Sequence, residues 1–397
     1  LLEGLNLMNK TEQTGSDTTP EEQETKKSKK SERLTSIDAL RGFDMFWIAG
    51  GESVIHTLTN LVGGPILLWC SYELTHSVWN GFTFYDMIFP LFLFLAGTTV
   101  PFSFTKRRAR GATQGDLYKH VISRVVILVV LGLIYNGFLN FDWESTRYAS
   151  VLARIGLGWG FAAMIYLNTN SWKTRMAWFW GILIGYWLIL LLVPVPGVGA
   201  YVLTKGGWLG GYIDRHLLPG KLYLGVHDPE GILSTLPAIG TGLLGMMIGQ
   251  LLKYSGDGWT RMKKFVYLIG IGLLGLILGQ LWDTVFPINK NMWSSAFVLF
   301  VGGWSVLLLA VFYYVIDILK WRKWAFFFVV IGSNSIVAYM VLSGGFIDLH
   351  STAEYIFGGF AGWFPIPAQA FIMSVAYIFV GWYFLYFLYK HKLFFKV

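Results

Sequence analysis

Ten apolar runs, each close to the length an α-helix needs to cross a hydrocarbon core, constrain this chain more than any other feature. They lie near 37–58, 82–104, 118–138, 150–167, 175–195, 232–252, 265–283, 294–316, 324–343 and 367–389, against a requirement of about 20 residues per crossing. Inside lipid every backbone polar group has to be satisfied within its own segment, so runs of this length resolve as helices. The fold class is therefore all-α: a polytopic membrane helical bundle of about ten transmembrane helices. Composition agrees, with 54% hydrophobic and only 14% charged residues, where a soluble chain carries about 25% charged.

The formal net charge of +8 does not point to nucleic acid, because the basic residues fall in short clusters between the apolar runs. Lys26 to Arg33, Lys106-Arg107-Arg108 with Arg110, Lys173 and Arg175, Arg261-Lys263-Lys264, Lys320-Arg322-Lys323, and Lys390 with Lys392 alternate along the chain. Cytoplasmic loops carry such an excess of Lys and Arg, so both termini are expected to be cytoplasmic. The opposite loops hold few basic residues, mainly Arg147, Lys205, Arg215, Lys221 and Lys290. Residues 1–32 are polar and nearly free of aromatics, which predicts a disordered cytoplasmic tail ahead of a membrane domain over 33–397. The longest outer segment, 196–231, carries a short amphipathic stretch, YIDRHLLP, and reads either as a lid or as a connecting loop. One cysteine, Cys70, leaves neither an intramolecular disulfide framework nor a cysteine metal cluster, and no metal site is expected.

Two of the runs carry ionisable groups. Placed on a helix, His76, Trp79, Asn80, Thr83, Asp86 and Pro90 share one face at the outer mouth of the second span. On the first span, Asp38, Arg41, Glu52 and His56 share a narrower arc, with Asp44 beside it. Ionisable groups at such depth face a partner or a watery cavity, so the two faces suggest one shared site. Each residue also has a plain structural reading: an i,i+3 ion pair for Asp38 and Arg41, a helix cap for Asp86, an interfacial belt for Trp79 and Tyr85. Arg154 in the fourth run requires an anionic partner, either a carboxylate of the first two spans or a ligand phosphate.

A histidine with a neighbouring carboxylate can act as a base toward an amine or hydroxyl, or accept an acyl group itself. The sequence contains no His-Glu-x-x-His helix, no phosphate-binding glycine loop and no Gly-x-Ser-x-Gly turn. The residues alone thus lead to a polar, histidine-based site opening outward.

The blocks SIDALRGFDMFWIAGG and HSVWNGFTFYDMIFPLFLFLAG, followed in order by VLARIGLGWG, DPEGILSTLPAIGTGLLGMMIGQLL, PINKNMWSSAFVL and GSNSIVAYM, resemble the heparan-α-glucosaminide N-acetyltransferase family over residues 33–390. The resemblance implies a multi-pass enzyme of the bacterial inner membrane. It would take acetyl from cytosolic acetyl-CoA and deliver it to the amino group of glucosamine, or of a glucosamine-terminated saccharide, at the outer face. It also implies a homodimer. His76 would correspond to the family's active-site histidine, as base or acyl carrier, with Asn80 as an orienting or oxyanion donor and Asp86 behind the ring. Asp44, Glu52 and Trp79 are the candidates for binding the amino sugar; Arg41, Arg107, Arg108, Arg124 and Arg154 are the candidates for binding coenzyme A. The chain departs from the related membrane O-acyltransferases, in which a histidine follows the first-span arginine by eleven residues: here that position, counted from Arg41, is Glu52. The rival readings are an amino-sugar transporter and a cell-envelope O-acyltransferase.

Overall fold

The computed structural model describes residues 34–343 and 346–395; the expected tail over 1–32 lies outside the described residues. Among the described residues helices dominate, and two isolated bridges, Arg147 with Gly220 and Val195 with Gly199, interrupt that pattern. In chain order the helices are α1 (Thr35–Phe46), α2 (Glu52–Val62), α3 (Pro65–Glu73), α4 (Phe84–Thr98), α5 (Val100–Arg108), α6 (Gln114–Tyr135), α7 (Val151–Asn168) and α8 (Trp172–Leu192). They continue with α9 (Leu209–Leu217), α10 (Thr235–Lys253), α11 (Arg261–Asp283), α12 (Ser295–Phe312), α13 (Phe326–Ser333), α14 (Ser335–Ala338), α15 (Leu349–Ala361) and α16 (Ile366–Lys390).

Among the described residues, eight helical stretches are long and apolar enough to cross a membrane, or nine if the bent pair Phe326–Ser333 and Ser335–Ser343 is one span. The count differs from ten because the run over 37–58 is not one helix. It forms α1, a π-helical turn over Trp47–Gly51 in which Gly50 adopts φ 112°, and α2. A left-handed backbone is readily available only to glycine, so Gly50 is where the run breaks. Asp38, Arg41, Asp44 and Glu52 also dilute its apolar character. The ninth run bends by 82° at Asn334, whose side chain is tied to the Leu393 carbonyl and the Phe395 amide.

Small residues set the closest helix contacts, as expected where lipid supplies no hydrophobic drive between helices. A side chain at Gly245 or Gly249 of α10 would collide with the carbonyl oxygens of Phe94 or Thr98 on α4, and one at Gly42 of α1 with that of Phe328 on α13. The obstacle is backbone in each case, so it cannot rotate away. Gly245→Val is expected to lower stability by about 3 kcal/mol or to prevent folding, read as a fall in thermal unfolding temperature of the purified protein.

Hydrogen bonds tie the helix ends into two groups. At one end Lys253 reaches Thr105, Arg175 reaches Gln250 and Thr169, and Arg261 reaches the Asp317 carbonyl. This end holds the basic clusters of the inter-helix turns. At the other end the connections around residues 74–83, 136–150, 193–234 and 284–294 bind one another. The segment over 196–231 contains α9 and belongs to this second group. Trp208 of the segment is fully buried beside Tyr186, Phe286 and Met292.

Candidate active site at the His76 end

The local fold here differs from the helical face expected from the sequence. Residues 74–83 form no helix, and α4 starts only at Phe84. Asn80-Gly81 makes the turn that ends the segment, with Gly81 at φ 109° and its amide donating to the Ile288 carbonyl at 2.9 Å. Thr83 then caps α4, and Asp86 three residues on reaches back to it in a capping box. The spacing from His76 to Asp86 therefore works through a returning loop and not through helical periodicity. The result still brings the two together.

Asp86 is fully buried and its two oxygens have distinct partners. Oδ2 accepts from the backbone amides of Ser77 at 3.2 Å and Thr83 at 3.3 Å. That leaves Oδ1 for His76, whose Nδ1 lies 2.9 Å away. A carboxylate can only accept, so Nδ1 carries the proton and the lone pair resides on Nε2. Glu73 accepts from the Phe84 amide at 2.9 Å, so a second carboxylate satisfies the start of the same helix. The imidazole is half exposed, while Asp86 behind it is shielded from water.

Lys290 completes the cluster, and the sequence reading did not place it there. Its ammonium lies 3.0 Å from each ring nitrogen of His76 and 3.7 Å from Asp86 Oδ1. Burial pushes the Lys290 ammonium below its ordinary pKa, with Asp86 and Glu230 opposing. A usable signal was present: Lys290 stands in PINKNMWSS as one of the few basic residues on the side away from the basic clusters.

Asn80 is held from the same connection. Asn289 Oδ1 accepts from the Met292 amide at 2.9 Å, which fixes Asn289 Nδ2 as the donor to Asn80 Oδ1 at 3.1 Å. The exposed Asn80 is thereby turned so that its own amide nitrogen remains able to donate. Trp79 points away from the histidine: its indole donates to the Leu203 carbonyl at 2.8 Å and meets His227 edge-on at 5.2 Å. It anchors the loop to the 193–234 segment.

The remaining candidates separate into two regions. Glu52 follows the π-turn and lines a cavity together with Tyr85, whose ring contacts His76 at 4.8 Å between centroids. The break at Gly50 removes the single arc expected for Asp38, Arg41, Glu52 and His56; His56 instead meets Ser71 at 2.7 Å. Asp44 is buried within electrostatic range of Arg41, and neither carboxylate oxygen has a hydrogen-bond partner. Arg124 stacks on Trp159 at 4.2 Å with Arg41 nearby, and Arg107 and Arg108 end α5 toward the basic end.

Arg154 belongs to the His76 end and not with these cations. Its Nη2 donates to the carbonyls of Pro229 and Gly231 and to the Ser234 hydroxyl, while its Nε and Nη1 are buried without a hydrogen-bond partner. Arg147, its neighbour in space, forms a two-pronged bond to Asp228 at 2.8 and 2.5 Å and a further ion pair with Glu230. Burial alone would raise Asp228, yet its bonds to Arg147 hold it below the usual carboxylate range. Among the described residues no group of three or more His, Cys, Asp or Glu is arranged to hold a metal ion.

No family model matches the chain. The mouse protein named heparan-alpha-glucosaminide N-acetyltransferase is 28% identical over 440 aligned residues, which cover 94% of this chain and 62% of the mouse protein. The human protein of the same name is 27% identical over 364 residues, covering 78% of this chain and 52% of its own length. The chain thus spans between about half and three fifths of these relatives. Over both extended stretches, the chain is similar to proteins named heparan-alpha-glucosaminide N-acetyltransferase.

Proposed function

We propose that the protein is a membrane N-acetyltransferase that moves acetyl from acetyl-CoA, entering from the basic end, to the amino group of glucosamine or a glucosamine-terminated saccharide at the His76 end. The observation that carries this reading is the Asp86–His76–Lys290 cluster, in which one imidazole nitrogen is fixed as donor and the other is left as the reacting atom. With the basic end cytoplasmic, as the alternation of basic clusters favours, acceptor chemistry takes place on the far side of a bacterial inner membrane.

Acetyl-CoA supplies an activated acyl thioester. The cations at the basic end suit its phosphates: Arg124 has a buried Nε without a hydrogen-bond partner, beside Arg41 and within the α5–α6 hairpin that carries Arg107 and Arg108. His76 Nε2 takes a proton from the neutral amine as its nitrogen bonds to the acyl carbon. The carbon–sulfur bond breaks, its electron pair goes to sulfur, and Nε2 returns the proton there, giving the N-acetyl sugar and free coenzyme A thiol. Asp86 holds the ring in the required tautomer throughout. Lys290 and the free amide of Asn80 stabilise the negative charge that develops on the acyl oxygen.

The reading is tested with purified protein, labelled acetyl-CoA and a panel of amino sugars. Labelled N-acetylglucosamine formed from glucosamine supports it. In proteoliposomes, accumulation of unmodified sugar without acetyl-CoA would instead identify a transporter. Lys290→Met is expected to lower kcat by about 10²-fold while leaving the KM for acetyl-CoA within about twofold, the behaviour of a group acting mainly on the transition state.

A further inference from the structure

A cavity of about 530 Å³ opens beside the cluster, in the size range of small-molecule sites. Tyr85 forms part of its wall and is also the ring against His76, so the cavity and the imidazole are separated by the thickness of one side chain. Among the described residues, Glu52 is the one carboxylate in the wall, and no lysine or arginine lines the cavity. The Glu52 Oε2 atom is buried and has no hydrogen-bond partner, so it is an acceptor awaiting a donor. Around it are hydroxyls, notably Ser53 and Ser374, and a flat aromatic surface made by His350 stacked on Tyr377 at 3.8 Å and 6°. One buried carboxyl acceptor, several hydroxyls and aromatic faces match a ligand that is cationic at one position, hydroxylated around its rim and apolar on its ring faces. A pyranose carrying an amino group has those properties.

We infer that this cavity is the acceptor subsite, binding one terminal hexosamine with its amino group at Glu52, on the Tyr85 side of the cavity that lies nearest His76. The inference rests on the acetyltransferase reading for the identity of the acceptor, and it adds where the sugar is held and by which residue. Glu52 is a binding residue in this account: it receives the ammonium form and takes one of its protons, and the neutral amine so formed is the species that loses its next proton to Nε2. Glucose, lacking the cation, would lose the interaction with Glu52 and keep only hydroxyl and ring contacts.

The test measures glucosamine binding calorimetrically to the full-length protein without acetyl-CoA, in parallel with kinetics. Wild type is expected to bind glucosamine at least about tenfold more tightly than glucose, since a charge-assisted bond is lost with the latter. Glu52→Gln is expected to remove that preference and to raise the KM for glucosamine about tenfold, with the KM for acetyl-CoA unchanged. Ser53→Trp, at an exposed rim position, is expected to block binding by filling the cavity without disturbing the packed interior. Acetyl transfer with an unchanged glucosamine KM in both variants would overturn the subsite while leaving the enzyme reading in place. Glu52-dependent glucosamine binding without any acetyl transfer would support the subsite and overturn the enzyme reading.

Discussion

His76→Ala is expected to lower kcat for acetyl transfer by about 10³-fold, within the range that a positioned general base contributes. Glucosamine binding should stay within about twofold, because the side chain is half exposed and its removal leaves the Asp86 cap in place. The variant isolates chemistry from folding in a way that Asp86 substitutions cannot. Asp86 holds His76, but it also accepts from the amides of Ser77 and Thr83, so Asp86→Ala would leave buried amides unpaired and loosen the start of α4. A pH–rate profile should show the ascending limb of kcat disappear in His76→Ala. A profile identical to wild type would exclude His76 as the base.

Arg147→Ala should be the most damaging single change at the His76 end that touches none of the reacting groups. It removes both bonds to Asp228, whose side chain is fully buried, and the pair with Glu230. Breaking a buried ion pair by deleting one partner costs about 3–5 kcal/mol, since the stranded charge loses its compensation; the partial exposure of Arg147, 17%, puts the expectation near the lower bound of about 3 kcal/mol. The same pair carries a pH dependence. Asp228 is lowered in the folded protein, so its stabilising contribution is fully present above the ordinary carboxylate pKa of about 3.9 and is lost as pH falls through the lower folded value. Wild type should therefore lose thermal stability more steeply than Asp228→Asn on acidification below about pH 4. Equal slopes would remove Asp228 from the account.

The helical class and the apolar runs were legible because lipid leaves the backbone few alternatives. The first run was not legible as a broken element: the break depends on Gly50 entering a left-handed conformation, and a glycine within an apolar stretch gives no local sign of whether it will do so. His76 and Asp86 were correctly associated through an incorrect geometry. A helical arc joined them on paper, whereas the folded chain joins them by a turn at Gly81 and a capping box at Thr83. The Thr83-x-x-Asp86 spacing carries that information in the sequence, since a threonine followed three residues later by an acid marks a helix start as readily as a continuous face. Lys290 and Asn289 are more than 200 residues away from His76 and Asn80 in the chain, so no local pattern could pair them. Arg154 was read as awaiting an anion; the loop carbonyls of Pro229 and Gly231, which no local pattern could pair with it, meet only its Nη2 and leave Nε and Nη1 buried without a hydrogen-bond partner.

The most direct test of the central claim is the sidedness of transfer in sealed, uniformly oriented proteoliposomes. With labelled acetyl-CoA supplied only on the side of the basic clusters and glucosamine only on the His76 side, labelled N-acetylglucosamine should form on the His76 side. It should be absent with His76→Ala. Product that forms only when both substrates occupy the same compartment would contradict the account.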